Sequence, residues 1–159
     1  MVAWPLIDQM NPAADTLALS TVDFDLTAVE EGQQVKVMWQ GKPLFVRHRT
    51  KKEIDLAVKD DTASLKDPQT DAERLLQVDG AAGNAQYLIM GANCTHLGCV
   101  PLGVNDAGFK GNFSGWFCPC HGSDYDSSGR IRSGPAPTNL PVPPFKYTTD
   151  TLVKIGAKA

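Results

Sequence analysis

The stretches CTHLGC at residues 94–99 and CPCHGS at residues 118–123 decide what this chain can be. Together they hold all four cysteines and two of the three histidines of the chain. Each stretch offers one cysteine and one histidine a short distance apart, plus a second cysteine. The pattern predicts a site built from two thiolates and two imidazoles, with two thiols left over.

Two thiolates and two neutral imidazoles are compatible with more than one centre. They match a [2Fe-2S] centre in which two histidines replace two cysteines on one iron, and they match tetrahedral zinc. Structural zinc fingers usually pair cysteine with cysteine and histidine with histidine, whereas here each stretch contributes one of each. A disulfide-only interpretation leaves His96 and His121 unexplained. A thiol-redox interpretation of Cys118 and Cys120 leaves the first stretch unexplained.

Both stretches follow short apolar segments that predict strands. Residues 87–90 lead into the first stretch and residues 116–117 into the second. Such runs, bounded by turn-forming residues, are typical of buried strands. We therefore expect both clusters on loops that follow strands.

The rest of the chain also favours short strands. Residues 22–26, the alternating segment 35–39 and residues 44–46 after Gly41 predict antiparallel strands joined by a tight turn. Thr50 and Glu53 fit a capping box that opens a short helix. Residues 59–86 resemble an insertion with a second helical turn at 71–77, and residues 145–147 and 152–155 predict a closing hairpin. The prediction is a mainly β fold with a small helical insertion.

The composition of the chain excludes some classes of function. The chain has 159 residues, 42% of them hydrophobic and 21% charged, as is typical of one soluble globular domain. Its formal net charge of -3, with basic residues scattered, excludes an electrostatic footprint for nucleic acid. No apolar run reaches the roughly 18 residues that a membrane-spanning helix needs.

The two stretches resemble the motifs of Rieske iron-sulfur proteins from cytochrome bc-type quinol oxidoreductases. The resemblance implies one [2Fe-2S] cluster per chain with four protein ligands, which are Cys94, His96, Cys118 and His121. It also implies a disulfide between Cys99 and Cys120 that ties the two loops together. Such a bond closes a loop of about twenty residues, worth roughly 3 kcal/mol, and it implies an oxidising compartment.

Further residues resemble this family more than its relatives. The stretch GPAP at residues 134–137 resembles the proline loop that covers the cluster, and WPLI at residues 4–7 resembles the end of an N-terminal membrane anchor. Rieske ferredoxins that serve oxygenases lack the second cysteine pair, which makes them an alternative that the sequence disfavours. Asp124 departs from the histidine that some bacterial relatives have there, which puts the local charge in doubt.

The resemblance also implies individual roles. The hydroxyls of Ser123 and Tyr125 would donate hydrogen bonds to cluster sulfur. His121 would accept a hydrogen bond and a proton from quinol. Leu97 and Pro135 would form the apolar rim that docks on a partner and covers the cluster.

The predicted architecture is a Rieske-type antiparallel β-sandwich. Residues 1–20 are expected to be a remnant of a membrane anchor and a tether, with the flexible part at 14–20. Residues 21–159 are expected to form the Rieske domain. Within it we predict a cluster-binding subdomain at about 87–145 and a helix and loop insertion at about 50–86.

The implied function is that of the iron-sulfur subunit of a ubiquinol:cytochrome c oxidoreductase. The expected partners are a cytochrome b subunit, a c-type cytochrome and ubiquinol. The expected location is the periplasmic side of a bacterial inner membrane, with attachment through an N-terminal helix that the sequence lacks. The alternative from a different class is a structural zinc domain that carries no electron.

Overall fold

The computed structural model describes residues 20–103 and 111–159. The residues predicted to form the anchor remnant, and nearly all of those predicted to form the tether, lie outside the described residues. In chain order, the strands are β1 (Val22–Asp25), β2 (Gln34–Trp39), β3 (Lys42–His48), β4 (Tyr87–Gly91), β5 (Ser114–Cys118), β6 (Ser123–Asp126), β7 (Ile131–Ser133), β8 (Phe145–Tyr147) and β9 (Leu152–Ile155). The helices are α1 (Lys51–Lys59) and α2 (Asp71–Arg74), and 3-10 turns lie at Leu26–Ala28 and Asp60–Thr62.

Three antiparallel three-stranded sheets make up the described fold, in the orders β1-β9-β8, β2-β3-β4 and β5-β6-β7. The predicted fold class, mainly antiparallel β, is confirmed. The second sheet lies between two apolar cores, because successive side chains of a strand point to opposite faces. Phe45, Leu88 and Met90 belong to the core shared with the third sheet. Leu44, Val46 and Ile89 belong to the core shared with the first sheet.

Most of the predicted elements are present. The hairpin β2–β3 turns at Gln40 and Gly41, which have φ of 50° and 73°, so β3 already begins at Lys42. Both positive φ values are what a two-residue type I′ turn needs. The hairpin of β8 and β9 is present as predicted.

Capping boxes start both helices. In the first, the Thr50 hydroxyl accepts from the backbone N–H of Glu53, and the Glu53 carboxylate accepts from the backbone N–H of Thr50. Thr70 and Glu73 repeat the arrangement, although α2 ends at Arg74 and is shorter than the predicted turn at 71–77. Among the described residues, neither helix has the length and apolar character that crossing a bilayer requires.

Buried charged residues join the helical region to the third sheet. Arg74 donates to the carbonyls of Ser128 at 2.5 Å and Leu140 at 2.7 Å. Arg130, fully buried, pairs with Asp126 at 2.9 Å and with Asp61. The predicted insertion therefore packs against β6 and β7. These strands follow the second cysteine stretch.

Candidate metal centre

The two cysteine stretches form loops with the same backbone closure. In the first loop, which follows β4, the N–H of Gly98 donates to the carbonyl of Cys94 at 2.8 Å. In the second, which joins β5 to β6, the N–H of Gly122 donates to the carbonyl of Cys118 at 2.9 Å. Both glycines have positive φ, 89° and 81°, a conformation that residues with a Cβ rarely adopt. The glycine in each motif thus returns the chain next to its first cysteine.

A disulfide joins the loops. Cys99 and Cys120 are bonded across a sequence separation of 21, with their Cα atoms 6.7 Å apart. The disulfide that the family resemblance implied is therefore present. The Cys118 sulfur lies within 4.8 Å of both bonded sulfurs, a grouping that can look like a three-cysteine metal site. Cys99 and Cys120 are not thiolates, however, so they are not available as thiolate ligands.

Cys94 and Cys118 remain free thiols, and both are buried. Burial opposes ionisation of Cys94. Hydrogen bonds from the Tyr125 hydroxyl, whose oxygen lies 3.2 Å from the sulfur, and from the backbone N–H of His96 outweigh that cost and lower the pKa of the Cys94 thiol. Burial, together with the neighbouring Cys94 sulfur, raises the pKa of the Cys118 thiol. Each thiol contributes to the pKa shift of the other, so this part of the chain presents a pair of adjacent buried sulfur donors.

The two histidines of the motifs also meet. The ring centroids of His96 and His121 are 4.7 Å apart and the rings are nearly perpendicular, at 86°. Nδ1 of His96 is buried and has no hydrogen-bond partner in the described part of the chain. A buried polar atom without a partner costs about 1–3 kcal/mol, and the lone pair of a neutral imidazole nitrogen is what a metal ion takes. The donor set therefore fits a metal cluster of mixed sulfur and nitrogen ligation.

The surroundings of Cys94 come from distant parts of the chain. Tyr125 is fully buried, and its hydroxyl oxygen also accepts from the backbone N–H of Thr95 at 3.3 Å. Ser123 is buried too; it pairs with Cys118 across β5 and β6, its hydroxyl accepts from the backbone N–H of Ala136 at 3.1 Å, and it helps to lower the pKa of the Cys94 thiol. Burial and the adjacent Cys94 sulfur raise the pKa of the Tyr125 hydroxyl. Tyr125 therefore stays protonated and can donate its proton to sulfur.

The outer surface of the loops is apolar and exposed. Leu97 is 70% exposed, and Pro135 and His121 are exposed as well. Gly134 allows the proline loop to approach the second cysteine loop, because a Cβ there would lie 2.6 Å from the carbonyl oxygen of Gly122. An exposed leucine, proline and imidazole thus lie on the accessible side of the two loops.

Two residues have positions that sequence reasoning did not foresee. Thr95 lies inside the first motif and donates through its hydroxyl to the carbonyl of Thr138 at 2.7 Å, which joins the first loop to the proline loop. No local pattern signals that contact, since the residues are far apart in sequence. Asp124 points to the face of β6 opposite Ser123 and Tyr125, and accepts from the backbone N–H of Asn112 at 2.8 Å. Burial raises the pKa of Asp124, but its carboxylate faces away from the thiols.

Comparison with known proteins decides the family. The model of the Rieske [2Fe-2S] domain family matches residues 22–144, which is most of the chain. The chain belongs to the Rieske family. Because that family is defined by a [2Fe-2S] centre, the predicted cofactor is confirmed, and the structural zinc domain is not favoured.

Bacterial relatives extend this Rieske domain's likeness over almost its full length. It is 60% identical over 156 residues to the ubiquinol-cytochrome c reductase iron-sulfur subunit of Rhodospirillum rubrum, covering 98% of this chain and 81% of that protein. It is 53% identical over 157 residues to the subunit of the same name from Blastochloris viridis, covering 98% of this chain and 82% of that protein. The ferredoxin alternative is not favoured by these relatives.

A solved structure shares the fold of this Rieske domain. It is a chain of a hyperthermophilic respiratory Complex III, with a TM-score of 0.61, 24% sequence identity, and coverage of 94% of this chain and 87% of that chain. At that identity the likeness supports the fold alone. It agrees with the mainly antiparallel β architecture described above.

Proposed function

We propose that this Rieske domain is the electron-carrying subunit of a ubiquinol:cytochrome c reductase. Four residues would hold its cluster, namely Cys94, His96, Cys118 and His121. The observation that carries the proposal is the edge-on contact of the two imidazoles, with the buried and unpartnered Nδ1 of His96. The function named for the bacterial relatives supports the same assignment.

The chain's own groups would set the properties of the site. When bound, the cluster takes up and releases one electron, at a potential that nitrogen ligation raises above that of an all-cysteine cluster. The Tyr125 hydroxyl donates toward the Cys94 sulfur and the Ser123 hydroxyl would donate toward cluster sulfur, which favours the more negative, reduced state. Backbone N–H groups of His96, Cys120 and His121 add donors to the two ligand sulfurs.

Quinol chemistry would take place at the exposed side of the loops. His121 is exposed, so the ring nitrogen that does not bind metal can accept a hydrogen bond and then a proton from a ubiquinol hydroxyl. Leu97 in the first cysteine loop and Pro135, which follows the glycine that lies against the second loop, are exposed and would pack against the cytochrome b subunit. Contiguous exposed apolar surface marks docking sites, and Leu97 is the most exposed of the large apolar side chains in the described residues.

The electron would pass to a c-type cytochrome of the same membrane complex. We place the domain on the periplasmic side of the inner membrane, and the disulfide supports this because such bonds persist in oxidising compartments. Residues 14–20 would form the tether on which the domain moves between its two partners, since most of their side chains are small or polar.

A chimera tests the proposal. Residues 20–159 would replace the matching domain of the Rhodospirillum rubrum subunit, to which the chain is 60% identical. We expect membranes of the chimeric strain to reduce cytochrome c with quinol as the donor. A His48→Gln chimera should retain this activity and a His121→Gln chimera should lose it. A chimera that assembles and shows the reduced-cluster resonance but does not oxidise quinol would contradict the proposed function.

A further inference from the structure

Lys66 connects the helical region to the proline loop. It lies in the segment between α1 and α2, and its ammonium donates to the carbonyls of Gly134 at 3.0 Å and Ala136 at 2.9 Å. The next residue, Asp67, accepts from the backbone N–H of Asn139 at 2.9 Å. Two consecutive residues thus hold both ends of the loop formed by residues 134–139.

The other side of that loop faces the candidate centre. The backbone N–H of Ala136 donates to the hydroxyl oxygen of Ser123 at 3.1 Å, and both residues are fully buried. The carbonyl of Thr138 accepts from the hydroxyl of Thr95 in the first loop. The 134–139 loop is therefore held between Lys66 and Asp67 on one side and the two cysteine loops on the other.

The direction of the Ser123 hydroxyl depends on this arrangement. A serine hydroxyl has one proton to donate and lone pairs that accept. Because the Ser123 oxygen accepts from the Ala136 N–H, the hydroxyl proton is directed elsewhere, toward the face of the sheet on which Ser123 pairs with the proposed ligand Cys118. Movement of Ala136 would leave the hydroxyl free to rotate away from sulfur.

We propose that Lys66 is a positioning residue for electron transfer, holding Ala136 so that Ser123 keeps its hydrogen bond toward the sulfur side of the centre. The inference rests on the proposed function and deepens it. Lys66 itself touches no ligand in the described contacts. Two charge-assisted hydrogen bonds to backbone carbonyls are stronger than the usual exposed ion pair, which contributes little.

The test uses the purified, cluster-loaded domain and three variants. Lys66→Met removes both hydrogen bonds, Lys66→Arg restores a cationic donor, and Lys51→Met is the matched control, because Lys51 pairs only with the exposed Asp55 in the contacts described. One measurement is the midpoint potential by voltammetry. The other is amide hydrogen exchange of the peptide that covers residues 131–140, which reports loop order independently of turnover.

We expect Lys66→Met to lower the midpoint potential, so that the equilibrium constant for reduction by a fixed mediator falls about two- to tenfold, as the loss of one hydrogen bond predicts. Exchange in residues 131–140 should accelerate in the same variant. Lys66→Arg should recover most of both properties, and Lys51→Met should change neither.

Three results would overturn the proposal. An unchanged potential with unchanged exchange would mean that the Lys66 contacts position nothing. Faster exchange with an unchanged potential would make Lys66 a merely structural contact. A potential shift that disappears in about 1 M salt would assign the effect to exposed charge, which such salt screens. The proposed function fails separately, if the wild-type domain itself shows no reversible one-electron couple.

Discussion

The two cysteine loops share a backbone conformation, but the residues that surround them differ. Each closes through a glycine N–H on the carbonyl of its first cysteine, and each provides one free thiol and one histidine. In the first loop, Cys94 receives the Tyr125 hydroxyl, and the pKa of its thiol falls despite burial. In the second loop, burial and the neighbouring sulfur raise the pKa of the Cys118 thiol.

The comparison separates what the motif provides from what the surrounding residues provide. The motif fixes which atoms each loop offers and how its backbone turns. The surroundings come from β6 and from the loop of residues 134–139, which hold Tyr125, Ser123 and Ala136 against the first loop. We expect changes to the motifs to abolish the centre, and changes to the surroundings to tune it.

The largest expected effect comes from the ligands themselves. His96→Gln and His121→Gln should each abolish the [2Fe-2S] cluster, because one iron would lose a nitrogen ligand. His48→Gln is the matched control, since His48 bonds the carbonyl of Val29 and lies at the end of β3. Iron and acid-labile sulfide content measures the outcome. Full cluster content in either variant would contradict the claim that each loop supplies one histidine ligand.

The next largest effect concerns the bond between the loops. Replacing both Cys99 and Cys120 with serine should destabilise the loaded domain by about 3 kcal/mol, the value for closing a loop of roughly twenty residues. In a domain of this size that lowers the melting temperature by about 6–12 °C. Thermal unfolding measures it, and the chemically reduced wild type should behave in the same way. An unchanged melting temperature would show that the loops keep their positions without the disulfide.

A smaller effect should separate the surroundings of the two thiols. Tyr125→Phe removes the donor to Cys94 and should lower the midpoint potential by about 40 mV, which corresponds to about 1 kcal/mol for one electron. Ser123→Ala should act in the same direction. Tyr147→Phe, in β8 and part of the other core, should leave the potential unchanged. If Tyr125→Phe and Ser123→Ala have the same midpoint potential as the wild type, these hydroxyls do not tune the centre. The proposed difference between the surroundings of the two loops would then be contradicted.

The smallest effect concerns Asp124, on the face of β6 away from the thiols. Burial raises the pKa of Asp124 above its ordinary value, so its charged form destabilises the folded state at neutral pH, and that penalty disappears as pH falls through the folded pKa. Asp124→Asn should therefore raise the melting temperature slightly at pH 7, with a gain that shrinks as pH falls through the raised folded pKa and is lost below about pH 4, the ordinary pKa of an aspartate. The midpoint potential should not change. A variant less stable than the wild type at pH 7 would contradict this sign.

The sequence alone predicted the features that depend on local spacing. The Thr50 capping box and the closing hairpin of β8 and β9 are such short-range patterns. The Cys99–Cys120 disulfide came instead from the family resemblance, and the four ligands that the resemblance implies stay a prediction. The strand before each cysteine loop is predicted in the same way as the capping box and the hairpin, because apolar runs bounded by turn residues indicate buried strands.

The helical region from 50 to 86 shows what could not be predicted. Its sequence predicts an insertion, yet Arg74 is 2% exposed and donates to Ser128, 54 residues away. Arginine is almost never fully buried without partners, and the partners of Arg74 lie later in the chain, in the turn after β6 and in the loop before β8. The contacts of Lys66 with the 134–139 loop could not be predicted for the same reason. Pairings at long sequence separation leave no local pattern.

Nitrogen ligation of a sulfide-bridged iron pair is the central claim, and pulsed electron paramagnetic resonance of the reduced domain tests it most directly. The domain would be prepared with ¹⁵N-labelled histidine and, in parallel, with unlabelled histidine. We predict strong couplings from two histidine nitrogens that change with the isotope, and the loss of the signal in His96→Gln. A reduced cluster with no histidine coupling, or a colourless protein loaded with zinc, would contradict the account.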